Sequence, residues 1–210
     1  MGSVQIKMCG MTRVEDARRA MSLGVDAIGL NFYPSSPRFV SLDRALAIAE
    51  AVDGEVELFG VFVNEVTEWV ESIRDQVGLD RLQFHGDEAP EVLLPFGDKA
   101  VKVIRFQDPE EEPDWASYPR VGGFLLEPWH ETVFGGSGRS WHYESLAGLR
   151  PPRPWFMAGG LSPDNVGRAV LASGADGVDV CSGVESVPGI KDARRMDEFV
   201  AEVRRAETSL

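Results

Sequence analysis

Eight short apolar runs, separated by stretches of helical or loop character, constrain this chain more than any other feature. The runs are Val4–Met8, Ala27–Asn31, Leu58–Val63, Arg81–Phe84, Ala100–Ile104, Phe124–Glu127, Trp155–Ala158 and Gly177–Val180. Between them, apolar residues recur at the three- and four-residue spacing of amphipathic helices. That pattern predicts helices over Val14–Leu23, from Leu42 to about Ala51, Val66–Val77, from Pro90, and Asp192–Ala206. Ser41 reads as the cap of the second, and Ser162-Pro163 as the start of a helix reaching about Ser173. Alternation of this kind builds a parallel sheet, and eight strands close into a (β/α)8 barrel. The rival, an open doubly wound sheet, carries G-x-G-x-x-G after its first strand, and here Gly10 stands alone. The expectation is a single (β/α)8 domain over residues 1–210. Such barrels typically have about 250 residues, so one helix should be trimmed. Arg105–Gly122, with three prolines and an acidic cluster but no amphipathic pattern, predicts a degenerate fifth helix.

Charge and cysteine usage narrow the function. The formal charge is −13, from 21 Lys and Arg against 34 Asp and Glu. No basic stripe exists for a phosphate backbone, so no nucleic-acid partner is expected. No apolar run is long enough for a membrane span and no signal peptide opens the chain, so a cytoplasmic setting is expected. Two cysteines and three histidines, without CxxC or H-x-x-x-H, predict neither a disulfide framework nor a metal site. Oligomeric state is not encoded in any of these patterns.

Chemistry in a (β/α)8 barrel gathers at the C-terminal ends of the strands. The residues at the ends of the runs are Cys9, Asn31 and then Arg38, Asn64, Gln83 with His85, Arg105, Glu127, Gly159-Gly160, and Asp179 with Cys181-Ser182-Gly183. Gly159, Gly160, Ser182 and Gly183 fall after strands seven and eight, where backbone amides of such barrels often hold phosphate. Gly135, Gly136 and Ser137 form a further glycine cluster that reads either as a plain mobile loop or as a wall over the site. Cys9 and Glu127 lie well apart around the ring, as a base and an acid on opposite sides of a substrate must. Lys7 shares a strand face with Cys9 at a two-residue spacing.

Several stretches together resemble the phosphoribosylanthranilate isomerase family along nearly the whole chain. They are Lys7-Met8-Cys9-Gly10-Met11-Thr12, Pro34–Arg38, Gly60–Asn64, Gln83–Glu88, Gly135–Gly138, Ala158–Leu161, Gly177–Val180, Ser182–Glu185 and Pro188–Asp192. The resemblance implies an Amadori rearrangement of N-(5-phosphoribosyl)anthranilate, a small anionic phosphosugar-anthranilate substrate, to 1-(2-carboxyphenylamino)-1-deoxyribulose 5-phosphate, with no metal or organic cofactor. It implies that Cys9 is the general base at sugar C2′, that a strand-six carboxylate is the general acid, and that Arg38 holds the anthranilate carboxylate. On this reading Lys7, Arg38, Gln83, His85 and Asp179 bind substrate, and the glycine turns take its phosphate. Two positions depart from the family pattern. Glu127 stands where an aspartate is usual, and Cys181 where a serine is usual, beside Cys9 if strands one and eight are neighbours. Two other readings fit the residues: a related phosphosugar isomerase or epimerase, and a barrel that binds the ligand without turnover.

Overall fold

The computed structural model describes residues 3–106, 113–128 and 143–209. The glycine cluster Gly135, Gly136 and Ser137 and the acidic run at 108–112 lie outside them. Eight parallel strands close into a barrel in chain order. They are β1 (Gln5–Met8), β2 (Ala27–Asn31), β3 (Glu57–Phe62), β4 (Arg81–Phe84), β5 (Ala100–Phe106), β6 (Gly123–Pro128), β7 (Trp155–Met157) and β8 (Gly177–Val180). The helices are α1 (Val14–Ser22), α2 (Leu42–Val52), α3 (Thr67–Val77), the short α4 (Pro90–Leu93), α5 (Val166–Ser173) and α6 (Ala193–Glu207). Between β5 and β6, the described residues 113–122 contain no helix, as the proline-rich composition predicts. Among the described residues no helix is long and apolar enough to cross a membrane.

Side-chain alternation divides the core in two. Ile6, Met8, Ile28, Leu30, Phe62, Phe84 and Phe124 belong to the large cluster shared with the helices. The residues between them belong to the barrel interior, where Ala27, Phe59, Val101, Val103, Leu125, Phe156 and Ala158 form a second, smaller cluster. Cys9 and Lys7 share the inward face of β1, two residues apart.

Register is fixed from the N-terminal end by a repeated device. Asp26, Asp80 and Asp176 each immediately precede an even-numbered strand. Their carboxylates accept from the amides of Ile6 (2.7 Å), Leu58 (2.9 Å) and Trp155 (2.9 Å) on the neighbouring odd-numbered strand. A one-residue slip would reverse the inward and outward sets, so each bond opposes it.

Helix starts follow the sequence in two cases and depart in a third. Ser41 caps α2 by accepting from the Arg44 amide at 3.3 Å, and Asp192 caps α6 through the Arg195 amide at 3.1 Å. The helix expected from Ser162-Pro163 begins at Val166 instead. Asn165 Oδ1 takes the Ser162 amide at 2.8 Å and its Nδ2 donates to the Gly160 carbonyl at 2.8 Å, so the intervening residues form a turn. A hairpin absent from the sequence reading, β9 (Glu185–Val187) with β10 (Ile190–Lys191), folds over the β1–β8 edge.

Phe62 is the centre of the outer aromatic packing. It stacks on Phe32 with centroids 5.4 Å apart, meets Trp69 edge-on at 5.8 Å and approaches Phe84 at 6.4 Å. Phe62→Ala is expected to lower stability by about 3–5 kcal/mol through lost burial and the cavity left behind. Urea unfolding measures this directly, and a loss below about 1 kcal/mol would show that the cluster repacks.

Candidate active site

A pocket of about 550 Å³ opens at the C-terminal ends of the strands. That is ample for a small ligand. Its wall brings together residues from distant parts of the sequence: Cys9, Arg38, Gln83, His85, Glu127, Gly159, Gly160, Asp179 and Ser182. Asn31 and Cys181 also line it.

The Cys9 sulfur occupies space left by a missing side chain. A Cβ on Gly29 of neighbouring β2 would stand 2.7 Å from the Cys9 Sγ. The neighbouring Cys181 holds the Cys9 thiol well below its ordinary range. Burial opposes that effect, and Lys7, Lys191 and His85 reinforce it.

Below Cys9, Lys7 is fully buried and donates to Asp179 Oδ1 at 2.8 Å. The ammonium also lies 5.2 Å from the centre of the Phe59 ring. Burial pulls Lys7 down, but the charges of Asp179 and Cys9 outweigh it and hold it above its usual value. At Asp179 burial wins over Lys7, with the Cys9 charge adding to it, and the carboxyl is pushed up to about 7. Asp179 is thus the partner that gains a proton as the pH falls.

Across the pocket, Glu127 Oε1 and His85 Nε2 are 2.7 Å apart. Glu127 is only 6 % exposed. Burial depresses His85, yet Glu127, Cys9 and Asp179 together raise it above its ordinary value. Gln83 Nε2 stands 3.2 Å from the other ring nitrogen, Nδ1, while Gln83 Oε1 is buried without a partner. A half-turn of this amide presents Oε1 to Nδ1, the arrangement a doubly protonated ring requires.

Arg38 reaches the pocket from the loop after β2. Its Nη2 donates to Glu185 Oε2 at 2.7 Å and its Nε to Glu185 Oε1 at 2.9 Å. The opposite edge of the guanidinium is left for a second anion. Its hydrogen bonds to Glu185 raise Arg38 further, against burial. Lys191 Nζ, fully buried, donates to Glu185 Oε1 at 3.1 Å and to the Cys9 carbonyl at 2.6 Å. The Thr12 hydroxyl donates to the Gly189 carbonyl and ties this hairpin to the first strand's loop.

The glycine turns divide their roles. Gly159 and Gly160 take left-handed φ values of 89° and 66°, which only glycine adopts freely. A Cβ on Gly159 would meet Pro128 Cδ at 2.1 Å, so this turn also makes room for the residue after Glu127. Gly160 and Ser182 line the pocket beside it. Gly183 is not in the wall and packs against the Leu161 carbonyl. Lys7 likewise lies under the wall rather than in it. Arg105 and Asn64 stand apart from the pocket, where Asp87 pairs with Arg105 and its amide donates to Asn64 Oδ1 at 2.8 Å. Gly29, Glu185 and Lys191 are site residues the strand-end reading missed. Gly135, Gly136 and Ser137 lie outside the described residues.

A closed parallel barrel with a lowered thiol on one side of the pocket and a carboxylate–imidazole pair on the other defines a (β/α)8 barrel built for proton transfer. The sequence profile of the family described as N-(5′-phosphoribosyl)anthranilate (PRA) isomerase matches residues 6–202. N-(5′-phosphoribosyl)anthranilate isomerase of Magnetococcus marinus is 42% identical over 98% of this chain and 97% of its own. The crystal structure of the Thermus thermophilus phosphoribosyl anthranilate isomerase superposes with a TM-score of 0.86 at 33% identity, covering 96% of this chain and 99% of that one. A phosphoribosyl anthranilate isomerase solved in complex with reduced 1-(o-carboxyphenylamino)-1-deoxyribulose 5-phosphate superposes at 0.82, with 28% identity and the same coverages. The chain belongs to the N-(5′-phosphoribosyl)anthranilate isomerase family.

The Lys7–Asp179 pair gives a pH-dependent expectation. Lys7→Met leaves Asp179 with burial unopposed, so its pKa rises further above about 7. Above that pH the folded variant keeps a proton that its unfolded chain releases, and stability falls as pH rises. In the wild type Asp179 is ionised in both states there and contributes no slope. The variant is therefore expected to lose about 3–5 kcal/mol, the cost of breaking a buried pair, with a larger deficit at about pH 9 than at about pH 7.5. Urea midpoints at the two pH values measure it, and equal deficits would contradict the pairing.

Proposed function

We propose that this chain, folded as one barrel domain over residues 1–210, isomerises N-(5-phosphoribosyl)anthranilate to 1-(2-carboxyphenylamino)-1-deoxyribulose 5-phosphate. The observation that carries the reading is the placing of two proton-transfer groups in one pocket, the lowered thiol of Cys9 and the carboxyl of Glu127 held by His85. The relative solved with a reduced product analogue supports the choice of ligand.

The reaction needs a proton delivered to the furanose ring oxygen as the C1′–O bond breaks, with the anthranilate nitrogen lone pair forming the C1′=N iminium. Glu127 delivers that proton, drawing it from the His85 ring across their 2.7 Å bond, and His85 Nε2 fixes the carboxyl that passes it on. The Cys9 thiolate then takes the proton from C2′, and the electrons of the C–H bond move to C1′–C2′ and neutralise the iminium. The resulting enolamine tautomerises to the ketone, with C1′ gaining a proton and the C2′ hydroxyl losing one. Acid–base groups placed this way each contribute roughly 10²–10⁴-fold.

Arg38 offers its free edge to the anthranilate carboxylate, with Glu185 fixing its plane. Gly159, Gly160 and Ser182 supply the phosphate end of the pocket, and Gly183 shapes the turn behind Ser182. Asp179 and Gln83 face the sugar, Asp179 neutral or ionised according to pH and Gln83 through the Nε2 that the half-turn of its amide frees. Lys7 acts from beneath by holding Asp179. Base chemistry at Cys9 requires reduced thiols, which agrees with a cytoplasmic setting.

Glutamate adds a methylene to the acid. The 2.7 Å bond to His85 and the extended backbone of β6 through Pro128 fix where the longer arm ends. Loss of phosphoribosylanthranilate fluorescence tracks turnover. Glu127→Gln is expected to lower kcat at least about 100-fold. Glu127→Asp is expected to fall between, because the shorter arm no longer reaches His85. A Gln variant turning over at the wild-type rate would remove Glu127 from the mechanism.

A further inference from the structure

We propose that Glu88, paired with Lys102, is a positioning residue for the acid: it locks the turn after β4 and so sets where the His85 ring meets Glu127. The proposal rests on the reading of Glu127 and His85 as the acid pair. Three features of the β3–β5 edge carry it.

The first is how the turn is held. His85 lies just past the end of β4, where its amide donates to the Phe62 carbonyl at 2.8 Å. Beyond it, side chains take the backbone groups of the turn. The Gly86 amide donates to Glu88 Oε1 at 2.9 Å, and the Gly86 carbonyl accepts from Lys102 Nζ at 2.8 Å. The Asp87 amide donates to Asn64 Oδ1 at 2.8 Å, and the Glu88 carbonyl accepts from the Tyr118 hydroxyl at 3.0 Å.

The second is the buried pair that ties these bonds together. Glu88 Oε1 also accepts from the Asn64 amide at 2.9 Å, and Oε2 accepts from Lys102 Nζ at 2.7 Å. One carboxylate thus joins the loop after β3, the turn after β4 and β5 itself. Glu88 and Lys102 are 5 % and 4 % exposed, so water does not replace these bonds when they break. Lys102 stands opposite Phe84 in the β4–β5 register, and its ammonium lies 5.6 Å from the centre of the Tyr118 ring. Burial pulls the Glu88 carboxyl up, but Lys102 and backbone amides outweigh it and hold it below its ordinary range. At Lys102 burial wins over Glu88 and holds the ammonium below its ordinary value.

The third is that the turn has no slack. A Cβ on Gly86 would stand 2.3 Å from Asn64 Oδ1 and 2.7 Å from Glu88 Oε1, and both oxygens are engaged by backbone amides. Neither Glu88 nor Lys102 is in the pocket wall, so the pair acts through His85. The ring carries its placement to Glu127 across their 2.7 Å bond. A shift of about 1 Å at such a contact costs about 100-fold in rate.

The test pairs turnover of phosphoribosylanthranilate with titration of the His85 ring by NMR, its resonance identified by its loss in His85→Asn. Glu127, Cys9 and Asp179 face this ring, with Gln83 at its Nδ1. Glu88→Ala releases the turn. Its kcat is expected to fall about 100-fold with KM within about threefold, because Arg38 and the glycine turns are untouched. Its His85 midpoint is expected to fall by about one pH unit as the ring leaves Glu127, a tenfold loss in proton affinity. Glu88→Gln keeps the size of the side chain but has one acceptor oxygen where the carboxylate has two. It is expected to fall between on both readouts, and it carries the test if the Ala variant does not fold. A merely structural role lowers thermal stability while leaving kcat and the His85 midpoint at their wild-type values, which overturns the proposal. If the midpoint falls while kcat does not, the His85–Glu127 pair is not the acid, and Glu88's part in turnover falls with that reading.

Discussion

The Lys7–Asp179 ion pair stands where the barrel closes on itself. β1 and β8 are the first and last strands, and their contact joins residues 172 apart in sequence through one 2.8 Å bond. A lysine with no solvent exposure is tolerated because a carboxylate accepts from it and an aromatic face lies against it. Shifting β8 by one residue would separate Lys7 from Asp179 and bury both charges alone. The pair thus fixes register at the closing edge, and that register places Cys9 and Cys181 on neighbouring strand ends in the pocket wall. Stability and chemistry are coupled at this seam, while the aspartates at the opposite ends of the strands hold register away from the pocket.

Charge is distributed in pairs throughout the site. Lys7 answers Asp179, His85 answers Glu127, Arg38 and Lys191 share Glu185, and Lys102 donates to Glu88 at 2.7 Å beneath the His85-Gly86 turn. A chain with a formal charge of −13 can draw in an anionic ligand only where such local cations lie. Glu127 belongs to this scheme: an arm one methylene longer than aspartate needs a fixed partner at its end, and His85 is in place for it. His85 therefore fixes the carboxyl of Glu127, the proposed acid.

The barrel was legible because its signal is periodic and repeated eight times. Each apolar run matches a strand to within one or two residues, and the lack of a helix over the described residues 113–122 is explained by their prolines. Cys9, Arg38, Gln83, His85, Glu127, Gly159, Gly160, Asp179 and Ser182 were found because strand ends converge on one pocket. The residues that escaped depend on partners remote in sequence. Nothing in the sequence ties Lys191 to Cys9 until β9 and β10 bring its ammonium to the Cys9 carbonyl, and nothing ties Glu185 to Arg38 until the two meet. Gly29 interrupts an apolar run without any turn signal, and only the Cys9 sulfur against it explains the missing side chain. Ser162-Pro163 carries a strong local start signal, yet Asn165 captures the Ser162 amide and delays the helix. Local propensity loses there to one side chain's hydrogen bonds.

The proposed chemistry turns on Cys9 as the group that removes the proton from C2′. Replacing it tests this most directly, because Cys9→Ala removes the sulfur and leaves the Lys7–Asp179 seam and the Arg38 and glycine contacts in place. The measurement is turnover of phosphoribosylanthranilate by Cys9→Ala beside the variant's affinity for the reduced product analogue. The expected result is a fall in kcat of at least about 100-fold with analogue affinity within about tenfold of wild type. A Cys9→Ala variant that turns over at the wild-type rate would contradict Cys9 as the base.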